Sequence, residues 1–328
     1  MADKIRFGIL GPGNIAHKFA QGVSILSDAK LLAVGSRSKE RATQFASKYG
    51  IERAYGSYEE LVADKDIDVI YVASPHPAHM ENSLLCLNAG KTVLCEKAFT
   101  MNALQAEQVI ATARQKKLFL MEAMWTRFLP VTVKVREWLS QGVIGEVQML
   151  RASFGFRVPW DENSRLLAPT LGGGALLDAG IYPVSYASMV FGAQPAKASS
   201  IADIGKTGVD EQFSTVFQYL GGSIASLSGA VRTALGNDAV ITGTLGQIVI
   251  PNFLSAHSAE LTITGSEPVK YEPVFESIGY NYEAAEVIRC LRAGKTESDI
   301  MPLDETLSIM KTMDAMRAEW GLKYPCEE

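Results

Sequence analysis

Hydrophobic and polar positions in the first part of the chain predict strands and helices in alternation. Residues 5–10 form a short apolar run typical of a strand, and glycines at 11 and 13 end it. A helical pattern begins at once, because apolar residues recur on one face at Ile15, Phe19, Val23 and Leu26. The chain therefore opens with a strand, a tight glycine turn and a helix in direct succession.

The same alternation continues to Met121. Further strands are predicted at Lys30–Val34, Asp68–Ala73, Thr92–Cys95 and Leu118–Met121. Helices are predicted over Ser38–Tyr49 and Asn102–Lys116. A further helix begins at Ser57, and another, after the strand 68–73, ends at Ala89. The run 68–73 is apolar on both faces, which is typical of a central parallel strand. This repeated alternation of strand and helix predicts an α/β unit with a doubly wound parallel sheet.

Beyond Met121 the pattern changes to a run of strands. The polar and aromatic segment 122–128 marks a crossover, and a helix follows to Gln141. Strands are predicted at Val147–Phe154, Ala196–Asp203, Gln212–Tyr219, Ser223–Val231, Ala239–Thr244, Gln247–Ile250 and Leu261–Thr264. Helices over Tyr282–Arg292 and Leu303–Trp320 close the chain. We therefore predict a domain of residues 1–124 and an α+β domain of residues 125–328 with a mainly antiparallel sheet.

Composition narrows the class of protein. The chain has 328 residues, 47% of them hydrophobic and 20% charged, which is ordinary for a globular protein of about two domains. The net charge of −5 argues against a nucleic-acid partner. No apolar run approaches the length of a membrane span, and no secretory signal is expected, so we predict a cytoplasmic protein. The four cysteines lack C-x-x-C spacing, and we expect free thiols.

The first glycine turn carries the pattern G-x-G-x-x-A. Gly11 permits the sharp turn, Gly13 lets the backbone approach a diphosphate, and Ala16 lets the helix pack closely on the strand. The free N–H groups of the new helix would then face the phosphates. A plain glycine turn is the alternative, but the strand-turn-helix context favours a dinucleotide site.

The end of the second strand indicates which dinucleotide is bound. An NAD site would place an acidic residue there, whereas this chain has Ser36 and Arg37, with Arg41 one helical turn later. A 2′-phosphate requires donors and positive charge, which arginine supplies. We therefore predict NADP, with NAD as the second possibility. The alternative is a solvated basic patch, which the nearby Glu40 favours.

Candidate chemistry lies at strand ends and in one later glycine-rich segment. Lys97 follows the predicted strand Thr92–Cys95 and could hold a substrate oxygen or lower a neighbouring pKa; the alternative is a surface lysine paired with Glu96. Asp178 and Tyr182 are four residues apart after three glycines and share one face of a helical turn. A phenol beside a lysine and a carboxylate is a credible proton donor and acceptor, although Tyr182 taken alone would be an ordinary core tyrosine.

Two further sequence features concern metal binding and self-association. The pair His76 and His79 could suggest a metal, but no cysteine or carboxylate cluster lies near, so we predict no metal site. The small polar residues Ser223, Ser226 and Ser228, with Gly229, predict an open sheet face. Such a face is a plausible self-association surface, and a solvated face is the alternative.

Taken together, these motifs resemble those of the glucose-fructose oxidoreductase, inositol dehydrogenase and MocA (Gfo/Idh/MocA) family, most closely its dimeric dihydrodiol dehydrogenase and D-xylose dehydrogenase branch. The resemblance covers nearly the whole chain. The motifs that carry it are Gly11-Pro12-Gly13-Asn14-Ile15-Ala16, Ser36-Arg37-Ser38, Ser74-Pro75-His76-x-x-His79, Glu96-Lys97, Met121-Glu122-Ala123-Met124-Trp125-Thr126-Arg127-Phe128 and Gly172-Gly173-Gly174-Ala175-Leu176-Leu177-Asp178-x-Gly180-x-Tyr182.

The resemblance implies a Rossmann domain followed by a domain whose open sheet forms homodimers or higher homo-oligomers. It implies a catalytic set of Lys97, Asp178 and Tyr182, with Tyr182 standing where the inositol dehydrogenase branch has a histidine. The residues matched to cofactor binding are Gly11, Gly13, Asn14, Ile15, Ser36, Arg37, Arg41, Ser74, Pro75, His76, His79, Glu96, Lys97, Trp125 and Arg127. His79, Trp160 and Arg165 are further candidates for substrate contact. The family usually has proline after the lysine, and here Ala98 takes its place.

The expected activity is hydride transfer between NADP(H) and a hydroxyl-bearing carbon of a sugar, cyclic polyol or dihydrodiol. No nucleic-acid or membrane partner is expected. Two alternatives stay open at this point. One is a non-catalytic NADP-binding sensor or scaffold protein, and the other is a methyltransferase, which also has a glycine loop but would not explain Ser36 and Arg37.

Overall fold

The computed structural model describes residues 3–192 and 194–327, which form two compact units. The first unit comprises the chain up to Phe128 together with Glu276–Leu307. The second comprises Leu129–Phe275 together with the residues from Ser308 onward. The segment 276–307, which the sequence analysis places in the second domain, thus packs with the first unit.

Six parallel strands form the sheet of the first unit. They are β1 (Ile5–Leu10), β2 (Ala29–Gly35), β3 (Arg53–Tyr55), β4 (Val69–Val72), β5 (Thr92–Glu96) and β6 (Leu120–Ala123). Their order is β3-β2-β1-β4-β5-β6, which is the Rossmann order with its switch point between β1 and β4. The predicted doubly wound parallel sheet is confirmed. All six strands point the same way, so their carboxyl ends lie along one edge.

The last strand of this sheet lies two residues later than predicted. The strand predicted over Leu118–Met121 runs from Leu120 to Ala123, with Cys95 opposite Glu122 in the ladder. Glu122 is fully buried there and accepts a hydrogen bond from the Thr306 hydroxyl at 2.9 Å. Hydrophobic patterning does not assign a charged residue to a buried strand, so the prediction ended before Glu122.

Five helices connect these strands: α1 (Asn14–Ser24), α2 (Lys39–Tyr49), α3 (Tyr58–Ala63), α4 (His79–Asn88) and α5 (Ala103–Lys116). Side-chain caps begin three of them. Ser38, Ser57 and Asn102 accept the backbone N–H of the residue three positions on, as their residue types favour. The helix α1 has no such side-chain cap.

The second unit is built on an eight-stranded sheet. Its strands are β7 (Val147–Gly155), β8 (Lys197–Ile204), β9 (Asp210–Gln218), β10 (Ile224–Ala230), β11 (Ala239–Gly243), β12 (Gly246–Ile250), β13 (Ala259–Ile263) and β14 (Val269–Tyr271), in the order β14-β13-β12-β11-β7-β10-β9-β8. The strands β7 and β10 run parallel, and the other neighbouring pairs are antiparallel. The prediction of a large, mainly antiparallel sheet in an α+β unit is confirmed.

Two helices accompany this sheet, α6 (Pro130–Ser140) and α7 (Ile181–Phe191). A π-helical segment, Leu176–Gly180, runs directly into α7. Pro183 is the third residue of α7, directly after the π-helical segment. The π-helical segment was not predicted, and such segments are frequent at functional sites.

The last two helices are α8 (Tyr280–Arg292) and α9 (Leu303–Trp320). Helix α8 belongs to the first unit and packs on α1 at Gly22. A Cβ at Gly22 would lie 2.7 Å from the Asn281 backbone nitrogen and 2.9 Å from the Tyr280 carbonyl carbon, so only glycine permits this approach. No sequence signal announced this contact between segments some 260 residues apart.

Candidate active site

The glycine loop after β1 has the geometry that a diphosphate requires. Gly11 has φ +91°, which favours glycine, and its N–H donates to the Gly35 carbonyl at 3.0 Å. A Cβ at Gly13 would meet only the Ala73 carbonyl oxygen within 4 Å, at 3.8 Å. The space in front of Gly13 is thus open, next to the uncapped first turn of α1, which Asn14 and Ile15 begin. A diphosphate fits this arrangement, since the N–H groups there lack side-chain partners.

The residues predicted to select the dinucleotide lie at the end of β2. Ser36 is buried, and its hydroxyl accepts the Ser38 N–H at 3.2 Å. Arg37 and Arg41 are exposed, and neither guanidinium has a hydrogen bond or ion pair to another described residue. These two cations therefore stand beside the loop with donors to spare, which suits a phosphate ligand.

His79 joins the loops that follow β4 and β5. The ring is buried, with Nδ1 2.8 Å from the Ala98 carbonyl oxygen and Nε2 2.6 Å from the Ser74 carbonyl oxygen. Desolvation by burial lowers the pKa of His79. Both ring nitrogens contact the backbone, so the imidazole holds two strand-end loops together. The prediction that His79 also contacts cofactor or substrate stays a prediction.

The Ser74 loop itself is well ordered by side chains. The Asn82 amide of α4 donates to the Ser74 hydroxyl at 2.9 Å. Pro75 is exposed and His76 is buried, with its ring 5.6 Å from that of His79 in an edge-to-face arrangement. Asn82 was not singled out from the sequence, although it lies three residues after His79 and hence on the same helix face.

Lys97 emerges from the carboxyl end of β5. Its side chain is half-buried, and its backbone N–H donates to Glu96 Oε2 at 3.2 Å. The other oxygen of the buried Glu96 accepts the Tyr71 hydroxyl. The Lys97–Ala98 peptide bond is cis. Glu96 is thus held by groups of the sheet, beneath the lysine that follows it.

Trp125 and Arg127, both predicted to line the cofactor, are buried. The Trp125 ring stacks on Tyr280 of α8 with centroids 4.7 Å apart. The Arg127 guanidinium donates to Glu305 Oε1 at 2.6 Å. Both partners come from the segment that returns late in the chain, which explains why sequence reasoning missed them.

In the second unit, Asp178 pairs with a residue that the sequence analysis treated separately. Arg165 Nη1 donates to Asp178 Oδ1 at 2.9 Å, and Asp178 is buried whereas Arg165 is exposed. Trp160, from the same loop, is half exposed. The Arg232 guanidinium carbon lies 5.7 Å from the centroid of the Trp160 ring. The loop that contains Trp160 and Arg165 is therefore tied to a candidate catalytic carboxylate.

The backbone around Tyr182 is closely packed. A Cβ at Gly180 would lie 2.5 Å from the Phe213 ring, so the glycine of the motif admits this aromatic residue. Tyr182 itself is buried, with its ring edge-to-face on Phe154 at 5.5 Å. The prediction that Lys97, Asp178 and Tyr182 act as one set stays a prediction, since Lys97 belongs to the first unit and the other two to the second.

Two family models match the chain. The first describes an oxidoreductase family with an NAD-binding Rossmann fold and matches residues 5–124. The second describes a GFO/IDH/MocA C-terminal domain and matches residues 132–249. The chain belongs to the Gfo/Idh/MocA oxidoreductase family. The resemblance drawn from the sequence motifs is confirmed.

Curated Gfo/Idh/MocA relatives match over nearly their full lengths. The chain is 41% identical over 333 residues to the trans-1,2-dihydrobenzene-1,2-diol dehydrogenase of Xenopus tropicalis, covering 98% of this chain and 99% of that one. It is 38% identical over 334 residues to the human enzyme of the same name, with 98% of each chain covered.

Solved structures of similar fold include an aldose-aldose oxidoreductase from Caulobacter crescentus, complexed with glycerol. It has a TM-score of 0.88 at 22% identity, covering 97% of this chain and 98% of that one. A 3-ketoreductase from Actinomadura kijaniata, crystallised with NADP and TDP-benzene, has a TM-score of 0.85 at 25% identity, covering 96% and 98%.

These findings establish the general class of activity. The protein is an oxidoreductase with an NAD(P)-binding Rossmann domain, a dehydrogenase or reductase that acts on a CH–OH group. Within residues 3–192 and 194–327, no group of three or more His, Cys, Asp and Glu side chains is placed to hold a metal ion. In the same residues, no helix combines the length and the apolar character that crossing a membrane requires.

Proposed function

We propose that this protein catalyses NADP(H)-dependent hydride transfer to or from a hydroxyl-bearing carbon of a sugar, cyclic polyol or dihydrodiol. The observation that carries the proposal is the full-length similarity to enzymes named trans-1,2-dihydrobenzene-1,2-diol dehydrogenase. No observation favours the non-catalytic sensor or the methyltransferase.

The residues of the first unit supply a place for the cofactor. Gly11, Gly13 and the first turn of α1 would hold the diphosphate, and Arg37 with Arg41 would neutralise a 2′-phosphate. A bound nicotinamide cofactor supplies the hydride exchange at the substrate carbon. The NADP found in the bacterial 3-ketoreductase structure supports the choice of NADP over NAD.

Three side chains have proposed roles in proton transfer. Tyr182 acts as the general acid and base, giving its phenolic proton to the carbonyl oxygen during reduction and regaining it during oxidation. The Lys97 ammonium binds the reacting oxygen and lowers the pKa of the phenol by its charge. Asp178, held by Arg165, orients the substrate or Lys97. His79, Trp160 and Arg165 are the further residues proposed to contact substrate.

A reduction screen tests the reaction and its residues together. NADP reduction is followed at 340 nm, a wavelength set by the cofactor, over aldoses, inositols, deoxy sugars and trans-dihydrodiols. With the best substrate, Tyr182→Phe and Lys97→Met are each expected to lower kcat about 100-fold or more, the usual scale of general acid–base catalysis. NADPH affinity of the Tyr182→Phe variant should stay within about twofold of wild type. If both variants keep most of the wild-type turnover, the assigned roles are wrong.

We also propose a homodimer formed through the open face of the eight-stranded sheet. Ile201 and Val216, on adjacent strands β8 and β9, are 80% and 47% exposed on this face. Ser226 and Ser228 lie on it too, whereas Gly229 packs on Phe213 on the opposite side. A face of exposed apolar and small polar side chains is a plausible interface between copies.

A cytoplasmic location is part of the same proposal and can be tested by fractionating cells that express the tagged chain.

A further inference from the structure

A buried carboxylate lies behind the segment that carries the proposed catalytic residues. Asp210, the first residue of β9, has no exposed surface. Its Oδ2 accepts the Leu176 N–H at 2.6 Å. Leu176 begins the π-helical segment that leads through Asp178 to Tyr182, so Asp210 holds the amino end of the element bearing both residues.

The glycine run is shaped around this carboxylate. Gly174 has φ +118°, and a Cβ there would lie 2.3 Å from Asp210 Oδ1 and 3.2 Å from the Tyr324 hydroxyl. Any side chain at Gly174 would therefore displace the carboxylate. Asp210 Oδ1 has no hydrogen-bond partner among the described residues. A buried acceptor without a donor is costly and is retained where it serves a purpose.

The end of the chain supports the same loop through Arg317, Tyr324 and Glu327, here called the C-terminal clamp. The Tyr324 hydroxyl donates to the Gly173 carbonyl at 2.6 Å. Arg317 donates to both carboxylate oxygens of Glu327 at 2.7 and 2.9 Å, and Glu327 accepts the Tyr324 N–H at 2.9 Å. The clamp thus fixes one side of the glycine run while Asp210 fixes the other.

We propose that Asp210, together with the C-terminal clamp, is a positioning residue that fixes the π-helical segment so that Tyr182 and Asp178 are held in their working orientation. The inference rests on the proposed function, in which Tyr182 exchanges the proton. A negative charge suits the amino end of a helix, where free N–H groups gather. The effect of Asp210 on the reaction is therefore indirect, through backbone order.

The charge on Asp210 depends on its surroundings. Burial raises the pKa of Asp210 to about 7, while the Leu176 N–H and the Arg317 guanidinium favour the ionised form. The other titratable groups of the C-terminal clamp are Tyr324, whose pKa burial raises well above its usual value, and Glu327, which is paired with Arg317. The folded state therefore keeps this proton up to about pH 7, whereas an exposed aspartate loses it near pH 4. Protection of the segment should fall as the pH rises from about 4 to 7 and should then level off.

The main experiment compares wild type with Asp210→Ala, which removes the acceptor of the Leu176 N–H, and with Asp210→Asn, whose side-chain carbonyl can still accept it. Amide hydrogen exchange of peptides covering 172–183 is measured from pH 5 to 8, corrected for intrinsic rates. Asp210→Ala should exchange about 5–30-fold faster there than wild type at pH 5, the scale expected for loss of a helix cap, and Asp210→Asn should keep most of the protection. Wild type should lose protection as the pH rises towards about 7, whereas neither variant should change with pH, because neither has a carboxyl group at position 210. The kcat of Asp210→Ala should drop by a similar factor, with KM and NADPH affinity within about twofold of wild type.

A matched control is Asp203→Asn, which removes one carboxylate from an exposed position on β8 and should leave exchange and kcat unchanged. Tyr324→Phe removes a single hydroxyl from the C-terminal clamp and should also loosen 172–183, even if Asp210→Ala does not fold. Unchanged exchange of 172–183 in Tyr324→Phe, and in Asp210→Ala where it folds, overturns the inference. Absence of wild-type activity on every substrate class refutes the proposed function instead, because exchange is measured without turnover.

Discussion

The exposed arginines after β2 allow the choice of dinucleotide to be tested directly. The perturbation is Arg37→Ala. Arg37 has no partner among the described residues, so its removal breaks no internal contact. Hydrogen bonds to charged groups contribute about 1.5–3 kcal/mol, and exposure to water favours the lower half of that range. A loss of about 1.5–2 kcal/mol corresponds to roughly 10–30-fold weaker NADPH binding.

Fluorescence titration of the nicotinamide measures this prediction. NADPH should bind roughly 10–30-fold more weakly to Arg37→Ala, whereas NADH, which lacks the 2′-phosphate, should change less than about twofold. Raising the salt concentration should weaken NADPH binding more in wild type than in the variant, because exposed charges are screened. Lys48→Ala, which removes an exposed cation from the other end of α2, is the matched control.

Two results would refute the reasoning. One is an NADPH affinity that survives both Arg37→Ala and the double variant with Arg41→Ala. The other is an equal loss of NADH and NADPH affinity, which would mean that the substitution disturbs the loop rather than a phosphate contact. In either case the cations after β2 would be a solvated basic patch, the alternative considered from the sequence.

Further predictions concern stability and assembly. Burial, with Glu96 nearby, raises the pKa of Glu283 well above its usual value, so the folded state keeps a proton that the unfolded state releases. The free energy of unfolding of wild type should therefore fall as the pH rises above about 4.5. Glu283→Gln lacks the titrating group, so its stability relative to wild type should rise by at most about 1.4 kcal/mol per pH unit. Urea unfolding between pH 5 and 8 measures this; parallel curves would contradict it. Ile201→Glu should convert a homodimer to monomers in sedimentation experiments, while Leu104→Glu, at an exposed position in the first unit, should not. A wild-type monomer, or a dimer unaffected by Ile201→Glu, would remove this interface.

Sequence patterns predicted the secondary structure elements, because these depend on residues that are close together in the chain. The strand, glycine turn and helix at the start were recognisable because Gly11 and Gly13 follow an apolar run directly. The antiparallel sheet of the second unit followed from repeated short strands and turn residues. Side-chain partners across long separations were missed: Arg127 and Glu305 are 178 positions apart. Nothing in a single sequence links such residues, since the contact exists only after the chain has folded.

Buried ionisable groups were the other gap. Glu122 and Asp210 occupy fully buried positions, and burial raises the pKa of each to about 7. Hydrophobic periodicity treats such residues as surface positions, because charged side chains are seldom fully buried. Asp178 and Arg165 were each chosen as candidates, but their pairing depends on a loop conformation that no pattern encodes.

The return of residues 276–307 to the first unit bears on how the protein is made. Helix α8 covers α1 at Gly22, and the Leu120 N–H of β6 donates to the Thr296 carbonyl at 3.1 Å. After Phe128 has been added to the growing chain, the ribosome must add roughly 170 more residues before Thr296 is present. At 5–20 residues per second this takes about 8–34 s. During that interval the nascent nucleotide-binding unit exposes apolar surface. Binding of chaperones to the nascent chain should therefore be strongest after Phe128 and before residues 276–307 are synthesised.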